Sequence, residues 1–192
     1  MFVVLVVLLL AASVLYFVMP ANSPMWLGFK RFLLLSIAVL LPYTAFKSFQ
    51  FYRHSQALPA KLEILYPVSA GEVADLREGC GVVVYRLSGN ALDAIHKQGI
   101  AFFQTERHGR GYSLPNDRHY SYYTYNPWQK SPVPDGWWNP EDYWFHCADL
   151  SPSLMREIEA ATLKSGAYYT STYELRLMVI PTLGYVVFAF NG

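Results

Sequence analysis

No charged side chain occurs before Lys30. Phe2 to Met19 (FVVLVVLLLAASVLYFVM) is an apolar run of 18 residues. At about 1.5 Å per residue, a helix of that length approaches the roughly 30 Å hydrocarbon core of a bilayer. Pro20, Asn22, Ser23 and Pro24 break the run. A second run, Phe32 to Phe46 (FLLLSIAVLLPYTAF), extends to Tyr52 if Lys47 snorkels to the interface. Pro42 within it does not disqualify a membrane helix, where prolines are tolerated. Trp26, Tyr43, Phe49, Phe51 and Tyr52 suit the aromatic belts at the two interfaces. The sequence therefore predicts a membrane anchor over residues 1–54, with transmembrane helices at about 2–19 and 32–52 and the lipid bilayer as a partner. A connector follows over 55–62, then a globular domain over 63–192.

Two alternatives compete for the leader: a membrane-surface hairpin, and a cleaved signal peptide with a single anchor. A signal peptide wants a basic start, a core of 7–15 residues and a small-x-small cleavage site. Here the start carries no basic side chain, the core is 18 long, and the best site (Ala21, Ser23) is followed by Pro24. Two retained helices fit better. Orientation is nearly balanced, because Lys30 and Arg31 lie between the helices while Lys47, Arg53 and Lys61 follow the second. The Lys30-Arg31 pair abuts the second helix and the N-terminal tail is short. These features favour a multi-pass protein of a bacterial inner membrane with its C-terminal domain extracytoplasmic.

Composition separates the two parts. Residues 1–62 hold 42 hydrophobic side chains, five basic and no acidic ones, whereas 63–192 hold 60 hydrophobic, ten basic and fourteen acidic. The second part is ordinary in hydrophobicity, mildly acidic and long enough to bury its own core. Its charge disfavours nucleic acid as a partner.

Within it, Gly81 to Leu87 (GVVVYRL) reads as a strand. Ser88 is a helix N-cap, with the helix running to Gln98 and stopped by Gly99. Ile100 to Gln104 reads as a strand, and His119 to Tyr125 (HYSYYTY) alternates. Ser151 and Pro152 open a second helix that places Leu154, Ile158 and Ala161 on one face before Gly166. Glu174 to Ile180 and Tyr185 to Phe190 flank Pro181-Thr182-Leu183-Gly184 as a closing hairpin, so truncating the last eight residues should damage the fold. The expected fold is an α+β domain: a mainly antiparallel sheet with two helices, behind two N-terminal transmembrane helices.

Candidate chemistry is sparse. Cys80 and Cys147 are the only cysteines, 67 positions apart, and either form one disulfide in an oxidising compartment or remain two buried thiols. Their spacing matches no zinc or redox pattern. His146 is a poor base for its neighbour Cys147, since adjacent strand residues face opposite ways. His119, His146, Cys147 and Asp149 do not follow metal-ligand spacing, and His54, His96 and His108 are scattered. Arg107, Arg110 and Arg118 form a basic cluster for which salt bridges to Asp135, Glu141, Asp142 or Asp149 are the economical account. Glu141 and Asp142 do not read as an acid–base pair. No phosphate loop, nucleophile elbow or zinc-helix motif is present, and no cofactor or metal is expected.

The most informative stretch is Tyr112 to Phe145, with eleven aromatics in 34 residues and five prolines among them. Tyr and Trp supply large rigid contact area with one polar handle, and proline preorganises the loop that carries them. Tyr123, Tyr125, Trp128, Trp137, Trp138 and Trp144 are the candidate partner-binding residues. The same rings can instead build a small core under the loop, rest on a bilayer surface, or stack on a glycan. The reading adopted is a membrane-anchored, non-catalytic protein whose aromatic domain binds a protein partner, as immunity or inhibitor proteins and accessory subunits of envelope complexes do. A ligand or glycan sensor is the alternative, and an enzyme the third.

Overall fold

Strands that are apolar on both faces organise the fold. A computed structural model of the chain describes residues 24–74, 79–112, 123–137 and 150–191. In it β2 (Gly79–Leu87), β5 (Leu175–Ile180) and β6 (Tyr185–Asn191) are buried along most of their length. Runs such as Val82-Val83-Val84 arise because successive side chains enter two different cores. Val83, Tyr85 and Leu87 join Leu177, Val179, Val186 and Phe188 on one face of the sheet. Val82 and Val84 join Met178, Ile180, Val187 and Ala189 on the other.

Around these strands lie β1 (Ile64–Ala74), β4 (Tyr168–Ser171) and the two-residue β3 (Gln129–Lys130). The six-stranded order is β1-β2-β6-β5-β4-β3, and every neighbouring pair is antiparallel. The predicted hairpin joins β5 to β6, its turn closed by the Leu183 and Gly184 N–H groups donating to the Ile180 and Pro181 carbonyls. The expected α+β domain on an antiparallel sheet is what forms.

One helix covers each face. In α2 (Gly89–Gln98) the Ser88 hydroxyl accepts from the Ala91 N–H at 3.1 Å, and Gly99 ends the helix at φ +58°, where a side chain would be strained. Its Ala91 and Ile95 enter the first core. In α3 (Pro152–Thr162) the Ser151 hydroxyl accepts from the Leu154 N–H at 3.3 Å, and Ile158 enters the second core. The strand expected over Ile100 to Gln104 is instead a 3-10 helix, Gly99–Phe103. Phe102 and Phe103 both turn into the first core, 4.9 Å apart and edge to face. An extended chain would send these neighbours to opposite sides.

The N-terminal part also departs from expectation. Among the described residues one helix is long and apolar enough to cross a membrane, α1 (Pro24–Ala57), rather than two; the helix expected at about 2–19 lies outside the described residues. Pro24 stands at the first described position of this helix, where its missing N–H costs little, since a first-turn N–H has no intrahelical partner to lose. The helix continues through Pro42, beside which the Thr44 hydroxyl donates to the Leu40 and Leu41 carbonyls. Phe32, Leu35, Val39 and Phe46 are exposed along it. Its 34 residues amount to about 50 Å, longer than a hydrocarbon core.

The chain divides into two compact units, Met1–Gln50 and Phe51–Gly192. The last turns of α1 thus belong to the second unit, where Phe51 meets the Tyr85 ring at 5.8 Å and Ala57, Leu58 and Leu62 are buried in the first core. Residues 55–62, expected as a connector, are helix end and buried turn.

Candidate functional site

Several of the aromatics read as partner-binding are part of the core. Tyr125 is buried and its hydroxyl donates to the Ala57 carbonyl at 2.9 Å. Trp128 is buried against Phe103, ring centroids 4.6 Å apart, and its Nε1–H donates to the Glu106 carbonyl at 2.7 Å. Tyr123 packs against the same core. Because the polar handles of Tyr125 and Trp128 each reach a carbonyl, these two rings are buried without an unsatisfied donor. Trp137 is half-buried on the opposite face of the sheet. Trp138 and Trp144 lie outside the described residues.

Among the described residues, Arg107 and Arg110 donate to backbone carbonyls. Arg107 Nε donates to the Tyr125 carbonyl at 3.1 Å. The Arg110 guanidinium reaches four carbonyls in and just past the last turn of α1: Ser55 at 3.0 Å, Leu58 and Ala60 at 3.4 Å, and Leu62 at 2.7 Å. A helix C-terminus presents carbonyls with partial negative charge, which a forked cation fits. The flanking backbone completes the clasp, with Arg110 N–H on the Leu58 carbonyl and Gly111 N–H on the Gln56 carbonyl. Gly109 is required by close approach, since a Cβ there would stand 2.5 Å from the Ala57 carbonyl oxygen. Burial pulls the Arg110 pKa below its usual value, while Glu63 and Tyr85 oppose that shift. Arg118, Glu141, Asp142 and Asp149 lie outside the described residues.

No group of three or more His, Cys, Asp and Glu capable of holding a metal is present among the described residues. His54 pairs with Glu72 at 3.4 Å and stacks 4.9 Å from Phe190; His96 and His108 are exposed, and His119 and His146 lie outside the described residues. Cys80 is buried near the start of β2, opposite Val73, and does not stand as a free thiol. Cys147 lies outside the described residues.

Two surfaces remain as candidates. The first is β1, an edge strand for which the sequence carried no prediction. Among the described residues it pairs with β2 only, and beyond two register shifts around Pro67 its second half, Ser69 to Ala74, is regular. Leu65 and Tyr66 are each 56% exposed, Val68 40% and Val73 62%. Pro67 and the register shifts blunt the first half of this edge; the second half carries one charged residue, Glu72, which is engaged with His54.

The second is a cleft of about 360 Å³ at the opposite end of the sheet, lined by Asn126, Pro127, Gln129, Pro134, Trp137, Tyr169, Thr170 and Ser171. Strand alternation builds it. Tyr168 points to Phe103 in the first core at 4.7 Å, so its neighbour Tyr169 faces the other side. There Tyr169 meets Trp137 edge to face at 4.8 Å and 61°, and its hydroxyl donates to Gln129 Oε1 at 2.6 Å. Burial raises the Tyr169 pKa. Arg176 of β5 stands 5.6 Å from the Trp137 ring centre and donates to the Trp137 carbonyl. Sequence reasoning singled out Trp137 but not Tyr169, Gln129 or Arg176. The one available signal was Arg176 itself, a charge inside the apolar run ELRLMVI.

No protein-family model matches the sequence, and no curated protein or solved structure is detectably similar to it.

Proposed function

We propose that this chain is a membrane-anchored, non-catalytic protein that binds a protein partner of the cell envelope, in the manner of an immunity or inhibitor protein or an accessory subunit. The observation that carries the reading is the apolar edge of β1, with Leu65, Tyr66, Val68 and Val73 between 40% and 62% exposed. An edge strand that is regular from Ser69 to Ala74 and exposes apolar side chains before and within that stretch is a template for strand addition, in which main-chain hydrogen bonds supply affinity and side chains supply specificity. Anchoring is supported by α1, whose length and composition suffice to cross a bilayer. The non-catalytic assignment draws on where the displaced titratable groups lie: Tyr85, Tyr125 and Arg110 are committed to packing or to backbone carbonyls, and the Tyr169 hydroxyl, in the cleft, donates to Gln129. An extracytoplasmic domain and a Cys80–Cys147 bridge belong to the same reading, supported by the absence of a free thiol at Cys80. A second reading, a membrane-tethered ligand sensor, is favoured by the Trp137–Tyr169 cleft.

The test is a photo-crosslinking amino acid at Ala70 in the full-length protein in native membranes, with Tyr173 (94% exposed) as the control position. A protein adduct of one defined size at position 70, absent at 173 and reduced about tenfold by Val68→Lys with Val73→Lys, is expected. Lipid adducts alone, or equal adducts at both positions, would refute strand addition at β1.

A further inference from the structure

The cleft beside β3 and β4 has a chemistry of its own. None of its lining side chains among the described residues is charged. Its polar groups are amides and hydroxyls, from Asn126, Gln129, Thr170 and Ser171. Amides and hydroxyls both donate and accept, which matches a ligand whose own groups do the same. Gln129 is oriented within this set: its Oε1 takes the Tyr169 hydroxyl proton at 2.6 Å, which leaves the amide N–H groups as donors toward a ligand. Beside these groups stands the Trp137 indole, held by Arg176 over its ring and by the Tyr169 ring against it before any ligand arrives. A ring fixed in advance lowers the ordering cost of binding. At about 360 Å³ the space lies at the small end of ligand pockets.

From this juxtaposition of a fixed indole with neutral amides and hydroxyls, we infer that the cleft is a binding subsite for an uncharged oligosaccharide, one sugar ring lying against Trp137 while its hydroxyls meet Gln129 and Asn126. A pyranose presents an apolar C–H face and a rim of hydroxyls, the two features that the cleft separates in space. A proline-rich peptide fits less well. It offers its partner carbonyl acceptors and wants an aromatic-lined groove, whereas the 61° angle between Trp137 and Tyr169 sets an edge against a face and not two parallel walls. The inference rests on the ligand-binding reading of this cleft and is independent of β1.

Isothermal titration of the full-length protein in a detergent without a sugar headgroup tests it, with maltotetraose, cellotetraose and chitotetraose as probes. Saturable binding of at least one is expected. Trp137→Ala should weaken it about tenfold or more. Gln129→Ala should weaken it several-fold, with the thermal unfolding midpoint moving no further than in Tyr169→Phe, which removes the same hydrogen bond. The proposal is overturned by no saturable heat with any of the three, by binding that neither variant affects, or by decaproline binding in their place. Each of these results leaves the crosslinking outcome at β1 untouched.

Discussion

Tyr85 and Tyr125 are both buried and differ in a single hydrogen bond. The Tyr125 hydroxyl donates to the Ala57 carbonyl at 2.9 Å, whereas the Tyr85 hydroxyl is buried without a partner. A buried donor left unpaired costs about 1–3 kcal/mol, and a satisfied one contributes about 1 kcal/mol. Tyr125→Phe should therefore destabilise the protein by about 1 kcal/mol, while Tyr85→Phe should stabilise it by about 1 kcal/mol. Thermal unfolding of the full-length protein in detergent measures both, and shifts of the same sign would contradict the assignment. Burial drives both phenols well above their usual pKa, with the Glu72 carboxylate adding to the rise at Tyr85. Since an unfolded tyrosine titrates near pH 10, the stabilisation from a raised folded pKa is fully present below about pH 10. It is lost as pH rises from there through the folded values. Stability should fall above about pH 10, and the double Phe variant should flatten that arm.

Elements are held by partners distant in sequence. The end of α1 is closed by Arg110, 48 to 55 residues away from the carbonyls it bonds. Charge-assisted hydrogen bonds of this kind contribute about 1.5–3 kcal/mol. Arg110→Ala should destabilise the protein by about 2 kcal/mol or more. Arg110→Lys should recover little, because a single ammonium cannot span carbonyls that a guanidinium fork reaches together. Equal stability of the Lys variant and the parent would show that charge alone matters at this site. The same logic separates the strands. β6 lies between β2 and β5 and is recognisable as an unbroken apolar run, while β1, at the edge, has no such run: ILYPVSAGEVA mixes apolar, small and polar residues around Pro67.

At the scale of the molecule, compartment and covalent connectivity are one question. The chain has two cysteines, and Cys80 does not stand as a free thiol. A bridge to Cys147 would close a loop worth about 3–4 kcal/mol and requires an oxidising compartment. The full-length protein, denatured without reductant, should resist maleimide labelling and take up two equivalents after reduction. A C-terminal alkaline phosphatase fusion should be active. Two thiols labelled without reduction, together with an inactive fusion, would place the domain in the cytoplasm.

Sequence alone determined what depends on neighbours along the chain. Ser88 and Ser151 mark helix starts, Pro181 to Gly184 a turn, and the charge-free run to Phe29 an apolar leader, because capping, turn chemistry and hydropathy act over a few residues. Where each aromatic goes was a tertiary decision. Tyr125 and Trp128 are core, and Trp137 lines a cleft, although composition treats them alike. The difference lies in which distant carbonyl or ring meets each one: Ala57 for Tyr125, Glu106 for Trp128, Tyr169 for Trp137. Arg110 is the same case, a cation whose partners are carbonyls that exist only once α1 ends beside it. Local pattern sets what a segment can become, and the contacts formed on folding set which side chains are left to face a partner.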